Sequence, residues 1–376
     1  MIYFDSAATT LEKPRSVAAA AARAITRLAS PGRGGYRAGL DAAELVYQMR
    51  EKAAQLFHVG NLENVVLTGS ATHGLNIAIR SLVREGGTVV ISGYEHNAVT
   101  RPLRAIPDVT VKVAAGRLFD AEGVYAAFER AVTPETDAVI CNHVSNVFGF
   151  IQPVERIARL CRERGVPLIV DASQSAGILP VDMEGWGAAF IAMPGHKGLY
   201  GPQGTGLLLC GADTAPLLYG GTGSLSARQE MPDFLPDRLE AGTQNVCGAA
   251  GLLAGMSFVS WKGVERIHAH ERGLAQYMMD SLERISGVTV FRGGQDQSGL
   301  FSLTVDGLDC EIVAEELARR DVAVRAGLHC APLAHQSAGT ADTGTVRFSF
   351  SAFNRGPQVD RAAAILRQIV RENRKA

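Results

Sequence analysis

A lysine in a glycine-rich loop is the first residue of this chain whose surroundings suggest chemistry. Lys197 lies in FIAMPGHKGLYGPQGTGLLL, residues 190–209, where two apolar runs flank a loop of glycine and proline. Such runs predict two buried strands joined by turn residues, and glycines let the main chain approach a ligand closely. Burial between strands would lower the lysine pKa from about 10.4. A neutral amine forms a Schiff base with an aldehyde such as pyridoxal phosphate (PLP).

Two other interpretations of this loop compete with a cofactor lysine. Most lysines in loops are solvated surface charges, and GHKG alone does not exclude that role for Lys197. The segment GPQGTG also suggests a dinucleotide site, but it lacks the G-x-G-x-x-G order and precedes a strand where that fingerprint follows one. The choice between a surface lysine and a cofactor lysine therefore depends on the segments upstream.

Polar side chains follow several predicted strands at the point where each strand ends. Apolar runs predict strands at residues 88–92, 109–113, 137–142, 166–170 and 188–193, with helical patterns at 121–131 and 153–164. This alternation predicts an α/β fold with a mostly parallel sheet covered by helices on both faces, whose ligands bind at the carboxyl ends of the strands. The polar residues at those ends include His96, Asn146, Asp171, Gln174, His196 and Lys197.

Each of these residues also has an ordinary structural interpretation. Asp171 could cap a helix, His96 could be a surface histidine, and Asn146 could close a turn. Their joint position at one edge of the sheet favours a binding site. A strand at 65–67, followed by TGSATHG and a helical pattern at 75–83, adds a candidate phosphate site with Thr72 as a hydroxyl donor; the alternative is a plain helix cap.

Length and composition exclude several classes of protein. The chain has 376 residues, is 47% hydrophobic and 20% charged, and carries a net charge of −1. These values are typical of a globular protein of about two domains and give no basic field for nucleic acid. No membrane span, signal peptide or metal site is expected from the sequence. The six cysteines form no C-x-x-C pair or zinc spacing, so we expect reduced thiols and a cytoplasmic location.

The pattern of the chain changes after residue 211. An irregular connector rich in glycine and proline covers residues 219–245. Further elements are predicted as helices at 16–28, 41–58 with an Asp41 cap, 248–285, 310–320 with an Asp309 cap and 359–372, strands at 288–291, 300–305, 322–325 and 345–351, and a loop at 325–335. We therefore predict a large domain at 12–250 and a small α+β domain at 251–376, with residues 1–11 packing near the small domain.

The assembled motifs resemble those of the PLP-dependent cysteine desulfurases. That family belongs to the class V aminotransferase branch of the fold-type I PLP enzymes and is related to selenocysteine lyases. The motifs that carry the resemblance cover essentially the whole chain in the family's order: DSAATT, GSATHGLN, EHNAV, HVSN, VDASQSAG, GHKGLYGPQGTG, EAGTQN, RAGLHCAP and VRFSFSAFN. The resemblance implies a large PLP-binding domain with a mostly parallel sheet and a smaller α+β C-terminal domain.

The resemblance also implies roles for the matching residues at the cofactor. Lys197 would be the Schiff-base lysine with His196 beside it, and Asp171 would pair with the ring nitrogen. His96 would stack on the pyridine ring and shuttle protons. The other implied cofactor contacts are Ala71 and Thr72 at the phosphate, Gln174 near the ring hydroxyl, Asn146 at the edge of cofactor and substrate, and Thr243 reaching the phosphate from the partner subunit of a homodimer.

For the substrate, the resemblance implies that Arg347 binds the carboxylate and that Arg33 matches the arginine of the family's arginine loop. Arg325 would begin the cysteine loop, and Cys330 would be the nucleophile. His329 and Arg325, close in sequence, would favour its thiolate. The implied reaction converts L-cysteine to L-alanine and leaves a persulfide on Cys330, for transfer to a sulfur-acceptor protein. The alternatives are a selenocysteine lyase and a catalytically weak sulfur carrier or scaffold of the same fold.

Two departures from the family pattern bear on these expectations. Pro194 stands where the family often has a serine that helps to hold the phosphate, so one hydroxyl is missing. Gly32 and Tyr36 stand where the arginine loop usually carries histidines. The compact cysteine loop is similar to that of the branch that includes selenocysteine lyases, which leaves the choice between sulfur and selenium open.

Overall fold

The helices and strands below come from a computed structural model that describes residues 1–32 and 34–373. In chain order the strands are β1 (Ile2–Tyr3), β2 (Val65–Thr68), β3 (Thr88–Ser92), β4 (Thr110–Ala114), β5 (Ala138–Asn142), β6 (Leu168–Asp171), β7 (Phe190–Pro194), β8 (Gly206–Cys210), β9 (Val288–Phe291), β10 (Leu300–Val305), β11 (Val322–Ala323), β12 (Arg325–Gly327) and β13 (Thr345–Ser349). The helices are α1 (Arg15–Arg27), α2 (Arg37–Phe57), α3 (Ala71–Leu82), α4 (Asn97–Arg104), α5 (Ala121–Ala131), α6 (Val154–Arg164), α7 (Met183–Trp186), α8 (Val246–Lys262), α9 (Val264–Leu282), α10 (Cys310–Arg319), α11 (Pro332–Ala338) and α12 (Gly356–Asn373).

A seven-stranded sheet organises the first two thirds of the chain, in the order β2-β8-β7-β6-β5-β3-β4. The strands from β7 to β4 pair in parallel, and β8 is antiparallel to both of its neighbours. Alternate residues of a strand enter opposite cores: Val89 and Ile91 pack with α3 and α4, and Val90 packs with α2, α5 and α6. Burial on both faces explains the continuous apolar strands. The predicted α/β fold with a mostly parallel sheet is confirmed.

A second, antiparallel sheet has the order β12-β13-β10-β9 and packs against α9, α10 and α12. Phe301 and Phe348 stack in its core, with ring centroids 5.4 Å apart. The N-terminal strand β1 pairs in parallel with β11, which brings the first residues of the chain to this sheet. Helix α8 packs against α1 and α2, whereas α9 packs against α12, so the packing partner changes at Gly263. The boundary at residue 250 stays a prediction.

Several elements differ from the predicted ones. Helix α3 begins at Ala71 rather than at residue 75, because the Ser70 side chain caps it by accepting from the His73 N–H at 3.1 Å. Helix α2 begins at Arg37 with no side-chain cap, and Asp41 lies one turn inside it, where it accepts from Arg37 Nε. The segment 325–335, predicted as a loop, contains β12 and the start of α11.

No helix in the part of the chain that the structure describes combines the length and the apolar character needed to cross a membrane.

Candidate active site

One cavity collects most of the residues that the sequence predicted for a cofactor. It lies where β5, β6 and β7 end and α3 and α4 begin, and Asn142, Asp171 and Ala192 stand side by side in the strand register there. The predicted residues that line it are Ala71, Thr72, His96, Asn146, Asp171, Gln174, His196 and Lys197. Pro194, at the position where a serine hydroxyl was noted as missing, also lines it. Parallel strands that end together explain why residues far apart in the chain meet here.

Lys197 follows β7 in a tight turn that glycine makes possible. The Gly195 N–H donates to Thr205 O at 2.8 Å, and a Cβ on Gly195 would lie only 2.1 Å from the Thr205 hydroxyl oxygen. Burial lowers the pKa of Lys197 to about 8, and the charge of Asp171 opposes that shift. At pH 7 about a tenth of the Lys197 amine is therefore neutral, which is the form that Schiff-base chemistry requires.

The N-terminal segment DSAATT holds this loop in place. Thr10 donates to the carbonyl of His196 through both its N–H, at 3.1 Å, and its hydroxyl, at 3.0 Å. Gln174 Nε2 donates to the Ala7 carbonyl at 3.0 Å. The pKa of His196 is lowered to about 4 by burial, so its imidazole is neutral. The sequence marked DSAATT only as a motif; its hydrogen bonds to the lysine loop became visible in three dimensions.

His96 caps helix α4 from the cavity side. Its Nδ1 accepts from the Ala98 N–H at 3.0 Å, so a neutral His96 carries its proton on Nε2. Burial lowers its pKa, against the opposing charge of Asp171. The neighbouring Glu95 is fully buried, and burial raises its pKa to about 8 although Ser92 and the Asn142 N–H both donate to it. Glu95 is thus a mostly neutral acid at pH 7; it was not among the predicted site residues.

Asp171 ends β6 and is buried at the cavity wall, where its Oδ1 accepts from the Ser173 N–H at 2.9 Å. Across the cavity, the first N–H groups of α3 provide an anion site. The N–H groups of Ala71 and Thr72 have no hydrogen-bond partner among the described residues, because the Ser70 side chain accepts from the His73 N–H instead. Free N–H groups at a helix N-terminus, together with the helix dipole, favour a phosphate.

Two of the three predicted substrate arginines, Arg325 and Arg347, lie outside the lining of this cavity and share a carboxylate. Arg325 and Arg347 stand opposite each other in the β12–β13 pair, and both donate to Asp5. Arg347 is 2% exposed and also donates from Nη1 to the Asn146 carbonyl at 2.9 Å. Burial lowers its pKa, and the charge of Asp5 opposes that shift. Asp5 was not among the residues predicted for the site.

Cys330 lies at a second cavity that adjoins the first. This outer cavity is lined by Thr72, His96, Asn97, Arg101 and Cys330, so Thr72 and His96 face both spaces. Cys330 is exposed and has a positive φ of 56°. Its carbonyl accepts from the Asn97 N–H at 2.7 Å, next to the His96 cap. The thiol is therefore held at the entrance of the site on a fixed main chain.

His329 does not supply the positive charge that was expected beside Cys330. Its ring is buried, with Nε2 3.2 Å from the Thr345 hydroxyl, and its carbonyl accepts from Asn146 Nδ2 at 2.8 Å. Burial lowers its pKa to about 2, helped by the charge of Arg347, so His329 is neutral. The expectation for His329 was wrong because the chain turns its side chain into the core. Arg325 remains as the predicted cation near the thiol.

The four buried cysteines are unsuited to nucleophilic attack. Burial raises the pKa of Cys161 to about 12, and it also raises the pKa values of Cys141, Cys210 and Cys310. Cys247 is half-buried and its thiol donates to Asn245 Oδ1 at 3.2 Å. A protonated, enclosed thiol is a poor nucleophile.

Thr243 is exposed and lies outside the cavity lining, in a depression beside Gly69 and His73. The connector that carries it is anchored by the buried pair of Glu240 and Arg50, 2.7 Å apart. Removing one member of such a pair typically costs roughly 3–5 kcal/mol. Arg33, predicted at the substrate, lies outside the described residues. No cluster of histidine, cysteine and acidic side chains able to hold a metal occurs among the residues described.

The chain is similar to known proteins over almost its whole length. The family described as Aminotransferase class-V matches residues 2–362. A probable cysteine desulfurase of Methanothermobacter thermautotrophicus is 32% identical over 98% of this chain and 94% of its own length. One of Halalkalibacterium halodurans is also 32% identical, over 96% of this chain and 91% of its own. The apo cysteine desulfurase structure from Thermococcus onnurineus NA1 has a TM-score of 0.90 at 29% identity, covering 99% of this chain and 95% of that one.

Proposed function

Because the chain belongs to the Aminotransferase class-V family, we propose that it acts as a PLP-dependent cysteine desulfurase. The proposed reaction converts L-cysteine to L-alanine and transfers the sulfur to Cys330 as a persulfide. The observation that carries the proposal is the exposed Cys330 at a cavity that adjoins the one around Lys197. The similarity to proteins named cysteine desulfurases supports it.

The residues around the first cavity fit PLP. The free N–H groups of Ala71 and Thr72 would hold its phosphate, and Asp171 would pair with its ring nitrogen. His96 would cover the ring, and Gln174 would approach the ring hydroxyl. Lys197, with its lowered pKa, would attach covalently. When bound, PLP supplies an electron sink that stabilises negative charge at the Cα of an amino acid.

The protein's own groups then have separate tasks. The neutral Lys197 amine can take the proton from the substrate Cα, since its pKa of about 8 lies close to neutral pH. Asp171 would hold a proton on the ring nitrogen of PLP, and Arg347 would bind the substrate carboxylate with its planar guanidinium. The Cys330 thiolate attacks the substrate sulfur. The new S–S bond would form as the C–S bond breaks. The electron pair left on Cβ would take a proton, and Lys197 would return to Cα the proton that it removed, which gives alanine.

The exposure of Cys330 also bears on the fate of the sulfur. A persulfide at an exposed position can be attacked by the thiol of an acceptor protein, which would restore the Cys330 thiol. Such exchange requires that free thiols stay reduced, so we place the enzyme in the cytoplasm.

Product analysis tests the proposed function directly. We expect purified protein with PLP and a reducing thiol to form alanine and sulfide from L-cysteine in equal amounts. L-selenocysteine, assayed in parallel, separates two related activities. Alanine from selenocysteine with no turnover of cysteine would assign the protein as a selenocysteine lyase. Absence of alanine from both substrates would leave a sulfur carrier or scaffold.

We further propose a homodimer in which Thr243 of each subunit completes the phosphate site of the other. Thr243 is exposed and lies outside the cavity of its own chain, which supports a contact across an interface. We expect a dimer in sedimentation equilibrium. We also expect weaker PLP binding in Thr243→Ala, with Thr222→Ala in the same connector as the control.

A subunit-mixing experiment distinguishes the partner's site from the chain's own. In a heterodimer of Lys197→Ala and Thr243→Ala subunits, a Thr243 that acts across the interface leaves one site with both residues intact. That heterodimer should recover about half of the wild-type activity. If Thr243 acts within its own chain, neither site is intact and no recovery is expected. An active monomer at matched concentration would also reject the dimer.

A further inference from the structure

The carboxylate of Asp5 is the common partner of two arginines beside the active site. Arg325 donates to Oδ2 from Nη2 at 2.8 Å and from Nε at 3.1 Å. Arg347 donates to Oδ1 from Nη2 at 2.8 Å. Asp5 is 7% exposed. The charges of these three residues act on Lys197: Asp5 raises its pKa, while the two arginines lower it. We call Asp5, Arg325 and Arg347 the arginine–aspartate cluster.

The cluster has one uncompensated positive charge. Guanidinium groups stay protonated in proteins, so two arginines and one carboxylate sum to +1. Arg347 Nε is buried and has no hydrogen-bond partner among the described residues, so a donor is open as well as a charge. The Arg325 side chain is half exposed, but Arg347 is buried, and a buried charge is stable only when it is paired and hydrogen-bonded. The cluster is therefore complete when one further carboxylate binds.

We propose that Asp5 is a positioning residue that orients Arg347 and limits the cluster to substrates with a single carboxylate. This proposal rests on the proposed function, because it assumes that the ligand of the cluster is an amino acid. Asp5 occupies three N–H donors that a second carboxylate of the ligand would otherwise use. A dicarboxylic amino acid would have to displace Asp5 or remain unpaired beside it, and an unpaired buried carboxylate is strongly disfavoured.

The carboxylate is separable from the main-chain contacts that hold this segment. Phe4 N–H donates to Ala323 O at 2.8 Å, and Ser349 N–H donates to Phe4 O at 2.8 Å. The Ala7 N–H donates to the Ser349 hydroxyl at 2.9 Å. None of these bonds uses the Asp5 side chain. Asp5→Asn, which keeps the size of the side chain, therefore tests charge while the main-chain bonds remain.

The test measures binding of propionate and succinate to the PLP-loaded protein by titration calorimetry. These probes carry one and two carboxylates and no amine, so no turnover is needed. We expect Asp5→Asn to raise the affinity for succinate relative to propionate by about tenfold or more, since the cluster charge becomes +2. Adding Arg325→Gln to that variant restores +1 and should return the ratio to the wild-type value. An unchanged ratio in Asp5→Asn would overturn the proposal.

Further variants keep the test decisive if Asp5→Asn does not fold. Asp5→Glu keeps the negative charge and should keep the wild-type ratio of succinate affinity to propionate affinity. Asp280→Asn, which removes an exposed ion-pair partner of Arg292, should also keep that ratio. Arg325→Gln alone leaves zero net charge and should weaken propionate binding by about tenfold, although Arg347 is intact. Propionate binding that does not change in Arg325→Gln would reject the charge argument. A shifted ratio without alanine formation from cysteine would refute only the proposed function.

Discussion

Lys197→Ala is expected to abolish covalent attachment of PLP and to lower alanine formation from L-cysteine by about 100- to 10,000-fold or more. The amine lies in the cavity with His96 and Asp171, and burial lowers its pKa to about 8. Alanine removes both the attachment point and the base. Borohydride reduction of the wild type, followed by peptide mapping, should find the pyridoxyl group on the peptide that contains Lys197.

Lys13 provides a matched control for this prediction. Burial lowers its pKa to about 8 as well, but its Nζ donates to the Thr10 hydroxyl at 2.7 Å and lies outside the cavity lining. Lys13→Ala should therefore keep the label and the absorbance of bound PLP. A lowered pKa alone does not make an attachment site; the position in the cavity does. Label on Lys13, or on any lysine other than Lys197, would refute the assignment.

Cys330→Ala is expected to bind PLP and cysteine but to form alanine from cysteine slower by orders of magnitude. Lys197, Asp171 and Arg347 are unchanged in this variant, so spectral changes on adding cysteine should remain. The loop should also keep its conformation, because the Asn97 N–H donates to the main-chain carbonyl of residue 330. The loss follows because no other exposed thiol is present among the six cysteines.

Mass spectrometry of the wild type after brief exposure to cysteine should detect one added sulfur on the peptide that contains Cys330. Cys247→Ala, which removes the half-buried cysteine, should behave as the wild type. Selenocysteine is an informative contrast, since its weaker carbon–selenium bond allows some turnover without the thiol. Sulfur on Cys141 or Cys247, or a wild-type rate of cysteine turnover in Cys330→Ala, would contradict the nucleophile assignment.

The sequence predicts a strand correctly where turn residues mark both of its ends. Residues 88–92 and 300–305 begin and end as predicted because glycines or turn residues flank both apolar runs. Strand β12 has three residues, and it exists only because it pairs with β13 across about twenty residues of chain. Helix α11 has seven residues and no side-chain cap, too short for a periodic pattern. Elements that depend on distant partners leave no local pattern to read.

The site residues, too, include some that the sequence could predict and others that it could not. Residues at the ends of parallel strands, such as Asp171 and Lys197, could be grouped from the order of strands and helices alone. The charge of His329 could not, because it depends on which way the side chain turns and how deeply it is buried. The ion pair between Asp5 and Arg347 could not be predicted either, since 342 residues separate them. Motifs identify residues that matter, but pairing and protonation are properties of the folded chain.

The ion pair between Asp5 and Arg347 has a consequence for biosynthesis. At roughly 5–20 residues per second, a ribosome adds Arg347 about 20–70 s after Asp5. During most of that interval the N-terminal segment has neither β11 nor β13 to pair with, because both strands have yet to be translated. Loops of this length close late, because their entropy is lost before the contacts form. The arginine–aspartate cluster therefore forms only after Arg347 has been made, and a nascent chain stays inactive until then.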